Sequence, residues 1–379
     1  MPAYHQMGHD SRNLLAETHL ALFKGAILSP VNSPEPEVAD IVENPPADNF
    51  EFILDPQLYF PNADRGALPQ WKYFPSDVDT ADQMSLDWWT SVTSNIASCT
   101  ARLKPHGVCS PAIVPRAFSL DYYALCLRVT QLLEDALAGQ EIEVLHTLLV
   151  RLADLAAAAT APELASLMTA SATRRAYLVI LTDTHPRREL SDVEALKGVV
   201  RLIRFLEQSS IRVLVGFASS DVALWKAAGA TSVATGKFFN LRRFTPSRWE
   251  PPPEGGGQVP YWFEESVMAF LRESDLARLR RGGYLSPASL SNPYSADILA
   301  AIDASPPQPW LGLSWRQYMY WFADFEARIH SGRLGPSEDL SRADTTWKDL
   351  DINSILMEER SNDGTWVRAW RRVLAEAFH

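Results

Sequence analysis

The chain has 379 residues, a hydrophobic share of 46% and a formal net charge of −11. That length exceeds a typical single domain yet suits one α/β barrel with insertions, and the charge excludes a global attraction to nucleic acid, leaving only local basic patches. No apolar run reaches the roughly eighteen residues of a membrane helix. The first residues lack the basic-then-apolar pattern of a secretory signal. The three cysteines (Cys99, Cys109, Cys126) form no CxxC pair, which points to reduced thiols in a cytoplasmic protein without a zinc ribbon.

Taken in chain order, residues 1–49 read as an extended arm, because 28–50 is rich in proline and acid. FEFILDPQLYF (50–60) is the first clear strand, and 85–104 has helical spacing through Leu86, Trp89, Val92, Ile96 and Cys99. A short strand is expected at 108–114, then amphipathic helices at 121–138 and 141–159, with Ala-rich helix continuing to about residue 170. AYLVILTD (176–183), IRVLVGF (211–217) and 231–235 are apolar throughout, as strands buried on both faces should be. Between them, Ser191 is placed to cap a helix over 192–208, and Ser220 one over 221–228. Residues 251–257 (PPPEGGG) form a loop, and the rest is helical, most clearly over 315–329 and 365–378.

Strands alternating with helices imply right-handed crossovers and a parallel sheet. The expected fold is therefore α/β, a TIM-like parallel barrel, irregular because only five or six strands are countable. It would span 50–250, with a helical C-terminal region (251–379) packed on it; a doubly wound sheet is the alternative. Ligands of such folds bind at the C-terminal strand ends. Those ends carry Asp55 with Gln57 and Tyr59, then Arg116, then Asp183 with Thr184 and His185. Beyond them come Ser219, Ser220 and Asp221, and finally Lys237, Asn240, Arg242 and Arg243.

Two strand-end aspartates, Asp55 and Asp183, suit chemistry through an oxocarbenium-like centre, although either can simply cap its loop or pair with Arg116 or Arg65. KFFNLRRFTPSR (237–248) interleaves cations with aromatics, the combination that grips a flipped or single-stranded nucleotide. Arg242, Arg243 and Arg248 would hold phosphates, and a base would stack on Phe238, Phe239 or Trp249. Ser219–Asp221 and Gly236 form a second phosphate candidate. No P-loop, HExxH, GxSxG or GxGxxG motif is present, and the histidines lack metal-ligand spacing, so neither cofactor nor metal is expected.

The order of these features resembles the tRNA-guanine transglycosylase superfamily over roughly 50–250. FILDPQLYF resembles the strand that carries that family's catalytic aspartate, which would be Asp55. LVILTDTHP resembles the strand whose acid recognises the base, which would be Asp183. The resemblance implies a barrel that breaks the bond between a nucleobase and its sugar. The family's zinc site and an appended RNA-binding domain are missing, which favours DNA over RNA and base removal over exchange, with phage defence as a possible setting. Two other readings remain open: a barrel enzyme on a small phosphorylated metabolite, and a non-catalytic module binding through Trp370 and Arg371.

Overall fold

The computed structural model describes residues 3–75, 78–79, 82–172, 174–250 and 258–377. In chain order the barrel half comprises β1 (Ala3–Gln6), α1 (Arg12–Leu15), β2 (Gly25–Leu28), α2 (Glu35–Glu43), β3 (Glu51–Leu54), α3 (Leu86–Leu103), β4 (Gly107–Cys109) and α4 (Leu120–Ala136). It continues with β5 (Glu143–Arg151), α5 (Thr160–Thr169), β6 (Arg175–Leu181), α6 (Val193–Gln208), β7 (Arg212–Val215), α7 (Val222–Ala227) and β8 (Ser232–Thr235). All eight strands are parallel and lie in sequence order, and β8 pairs with β1 to close the barrel, Tyr4 opposite Ala234. Closure excludes the doubly wound sheet and establishes the TIM-like fold.

Two expectations are corrected. Residues 1–49 are no arm: they supply β1, β2 and α2. The proline- and acid-rich stretch that looked like a linker is a helix start, with Glu35, Pro36 and Glu37 in the first turn. There a missing N–H costs nothing and acids complement the helix dipole. Val38 and Ile41 then face the core. The helix expected over 141–159 is instead β5 followed by a 3₁₀ turn, Leu152–Ala156. A nine-residue stretch with apolar residues at Val144, Leu145, Leu148, Leu149 and Val150 fits either state, and pairing between β4 and β6 decides it. Elsewhere the strands are shorter than the apolar runs, and α6 is capped by Asp192, which accepts from Ala195 N at 3.1 Å, rather than by Ser191. The loop expected at 251–257 lies outside the described residues.

The C-terminal half holds the hairpin β9 (Trp262–Glu264) and β10 (Ala269–Leu271), then α8 (Glu273–Gly282), α9 (Pro287–Ser291), α10 (Ser295–Asp303), α11 (Leu311–His330), α12 (Pro336–Ile352) and α13 (Thr365–Ala377). These helices complete the barrel's outer layer. The β1–β2 crossover has only the four-residue α1 and a 3₁₀ turn, Thr18–Leu20, and α11 packs against β1 and that turn. Tyr318 of α11 reaches Thr235 (Oη to Oγ1, 2.8 Å), and Glu326 meets Lys226 of α7 at 3.0 Å. α13 covers α6, with Trp370 Nε1 donating to Leu190 O at 2.7 Å. Among the described residues, no helix is long and apolar enough to cross a membrane.

Candidate functional site

The segment after β8 does not turn outward. It folds across the C-terminal mouth, where Phe244 bridges Leu181 at the end of β6 and its carbonyl accepts from Thr182 N at 3.1 Å. The Phe244 ring lies against Tyr59 (4.9 Å) and Phe217 (5.0 Å), so this plug seals the barrel interior. Beneath it sits Asp55, which is 1% exposed. Asp55 Oδ1 accepts from Gln57 N at 3.0 Å, and Tyr59 Oη donates to both carboxylate oxygens. Burial nevertheless dominates and raises the carboxyl to about 7, opposed by Tyr59, the Gln57 N–H and the charge of Arg248.

Strain collects at the same place. Gln57 (φ +56°) and Phe217 (φ +55°) both occupy the left-handed region that non-glycine residues rarely adopt. Gln57 is fixed there by Oε1, which accepts from Ser29 Oγ (2.9 Å) and Val31 N (3.1 Å), while its buried Nε2 has no protein partner. Buried polar atoms are normally satisfied. Here Arg248 Nε and Asn240 Oδ1 are unpartnered as well.

Above the plug lies a cavity of about 810 Å³, within the range of small-ligand sites. Arg65, Arg187, Lys237, Arg242 and Arg248 line it with His9 and His185, and no Asp or Glu does so among the described residues. Phe238, Phe239, Tyr261 and Trp315 add aromatic surface. Lys237, Arg242 and Arg248 are each at most 6% exposed. None of the five cations has a carboxylate partner among the described residues. Lys237 Nζ lies over the rings of Phe238 (4.7 Å) and Trp315 (4.9 Å). Arg242 stacks on Tyr318 at 3.5 Å and donates to the carbonyls of Gly236 (2.8 Å) and Lys237 (2.6 Å). Arg248 lies over Phe217, with Nη2 3.5 Å from Asn32 Oδ1. Burial pulls both arginines down to about 10 and lowers Lys237 too. Such cations are costly unless an anion joins them.

The second phosphate candidate is occupied by the protein itself. Asp221 Oδ1 accepts from Ser219 N (2.8 Å) and Trp225 Nε1 (3.0 Å), and Oδ2 pairs with Arg243 Nη1 at 2.6 Å. Arg243 also reaches Glu189 at 3.1 Å. Arg243, expected to hold phosphate, is thus spent inside the protein, and Ser220 caps nothing, its Oγ lacking a hydrogen-bond partner. Asp183 does not converge with Asp55: it is exposed and outside the cavity wall, because β6 ends two residues earlier at Leu181. Arg116 is likewise exposed and away from the cavity.

Of the residues expected to bind substrate, His185, Lys237, Phe238, Asn240, Arg242 and Arg248 meet in the cavity, while Gln57 and Tyr59 lie buried around Asp55. Sequence reasoning missed Asn32, Arg187 and Tyr261 and cast Arg65 only as a partner for aspartate. They lie on loops whose lengths carry no periodic signal. Trp315, at the start of the stretch expected to be helical, faces the cavity from α11.

Comparison with known protein families and with curated proteins finds no match for this chain. Fold and site together define a TIM-like α/β barrel with a basic, aromatic-lined cavity at its C-terminal mouth, free of acid among the described residues.

Proposed function

We propose that this chain is a nucleotide N-glycosidic-bond enzyme, seating one nucleotide extruded from DNA in the mouth cavity and releasing its base. The observation that carries the reading is the cavity wall: five cations and four aromatic rings with no acid among the described residues, on a chain of net charge −11. A phosphate satisfies the cations, and a base has ring faces to stack on. The chemical half rests on Asp55, whose strand resembles the one bearing the catalytic aspartate in transglycosylases. With its carboxyl near 7, Asp55 is partly ionised at neutral pH and can stabilise positive charge at C1′ as the C1′–N bond breaks. The base leaves with the bonding electrons and takes a proton; water adds to C1′ and loses one. Gln57 Nε2, buried beside Asp55, would come within reach of the base only once the plug has moved. The reading requires the plug to lift Phe244 away from Asp55, with Arg248 of the same segment turning toward the phosphate.

A second reading, an enzyme of a free phosphorylated metabolite, is favoured by the arginines of the C-terminal helices. Arg280 pairs with Asp303, Arg278 with Asp275, Arg371 with Asp344 and Arg372 with Glu376, so these four offer no open basic track beyond the cavity. One experiment separates the two. The protein is incubated with modified and unmodified DNA, and released bases and alkali-labile sites are scored. The glycosidic reading expects base release that Asp55→Asn abolishes while DNA binding persists, and that Asp183→Asn leaves within about twofold, its side chain being exposed. Undiminished release by Asp55→Asn would remove it.

A further inference from the structure

Four of the five cations of the mouth fall into two groups on different walls, Arg187 standing apart with its Nη1 on Tyr261 Oη at 2.8 Å. Arg65 and Arg248 form one, beside Asn32 beyond β2 and β3. Arg65 Nε donates to Arg248 O at 3.1 Å, and Arg65 is the cation whose charge most depresses Arg248. Lys237 and Arg242 form the other, beyond β8 and under α11; each is held against rings, and Arg242 donates to Lys237 O. In the closed barrel β1 separates β8 from β2, so one phosphate on either wall leaves the buried cations of the other, Arg248 or Lys237 and Arg242, uncompensated. Aromatic surface from Phe238 and Trp315 lies at the β8 wall.

We propose that the mouth recognises a sugar carrying two phosphates, one taken by Arg65 and Arg248 and the other by Lys237 and Arg242. This rests on the nucleotide reading and sharpens it to a unit bearing both 5′ and 3′ phosphates. Such a unit is either internal to a strand or a free bisphosphate. Two anions match the two cation pairs, whereas a terminal monophosphate fills one.

The test uses binding alone, so it stands apart from base release. Calorimetry compares a base-free tetrahydrofuran sugar bearing a 5′-phosphate, a 3′-phosphate or both. A charged hydrogen-bonded pair contributes enough that the bisphosphate should bind roughly tenfold or more tighter than either monophosphate. Arg248→Gln should weaken one monophosphate and spare the other, Lys237→Gln should do the reverse, and either should reduce the bisphosphate toward a monophosphate. Arg65→Gln, at the rim, repeats the Arg248 arm without touching the buried plug. A bisphosphate no tighter than the better monophosphate, both variants weakening the same monophosphate, or no binding by any of the three would each overturn the proposal. A trinucleotide with a central tetrahydrofuran then separates the sources: tighter binding than the free bisphosphate assigns the site to a strand, and weaker binding assigns it to a free small molecule. Loss of base release with the two-phosphate preference intact would remove the glycosidic reading and leave this one standing.

Discussion

Tyr59 Oη lies 3.0 and 2.9 Å from the two oxygens of Asp55, so the phenol bridges a carboxylate that no cation contacts directly. Hydrogen bonds favour the charged form, yet burial outweighs them and lifts Asp55 from 3.8 to about 7.

The sign of the resulting stability change follows. Between about pH 4 and 7 the folded state keeps a proton that the unfolded state releases, so Asp55 makes stability fall as pH rises through that window and level off above it. Three units correspond to roughly 4 kcal/mol as an upper bound. Denaturant unfolding of wild type and Asp55→Asn at pH 4.5 and pH 8 isolates this group from Glu189, which burial also raises to about 7. The variant should gain on wild type at the higher pH; a pH-independent difference would contradict the shift.

Arg243 is the cation on which two buried acids converge, Asp221 at 2.6 Å and Glu189 at 3.1 Å. Arg243→Met leaves both uncompensated and should cost about 3–5 kcal/mol, read as a lower unfolding midpoint. Pyrophosphate should raise the midpoint of the surviving folded protein as it does for wild type, because this arginine is turned away from the cavity.

Arg248→Met should do the opposite. Its cation has no carboxylate partner and an unpartnered Nε, so its removal relieves a desolvated charge. The ligand-free midpoint should stay or rise. The stabilisation of wild type by pyrophosphate, about 2.7 kcal/mol at a hundredfold excess over Kd, should shrink sharply. A variant that melts lower yet responds fully to pyrophosphate would show that Arg248 serves packing.

Gly198 lies inside α6, where alanine ordinarily stabilises a helix by about 1 kcal/mol. Here a Cβ would stand 1.9 Å from the Leu155 carbonyl oxygen. The close approach reverses the sign, and Gly198→Ala should destabilise by about 1–3 kcal/mol in denaturant unfolding.

The long apolar runs made much of the barrel legible: β7 and β8 lie within the stretches that composition marked, and β6 begins one residue before its own. β1 and β2 were not, because four residues such as AYHQ or GAIL are too short for periodicity to show, and only pairing with neighbours makes them strands. Asp55 was legible as a strand-end acid, but its burial was not, since the cover comes from Phe244, nearly two hundred residues later.

By itself, the sequence determined the alternation of strand and helix, and with it the mouth where strand-end residues gather. It also concentrated cations and rings in residues 237–249. Only the tertiary structure decided which of those cations face the cavity. Arg242 and Arg243 are adjacent and chemically identical, yet one lies on Tyr318 at the cavity wall while the other turns inward to Asp221. Outside regular structure no period assigns a side chain its direction. It is set by whichever partner the rest of the fold brings within reach, here a ring on α11 and a carboxylate at the start of α7.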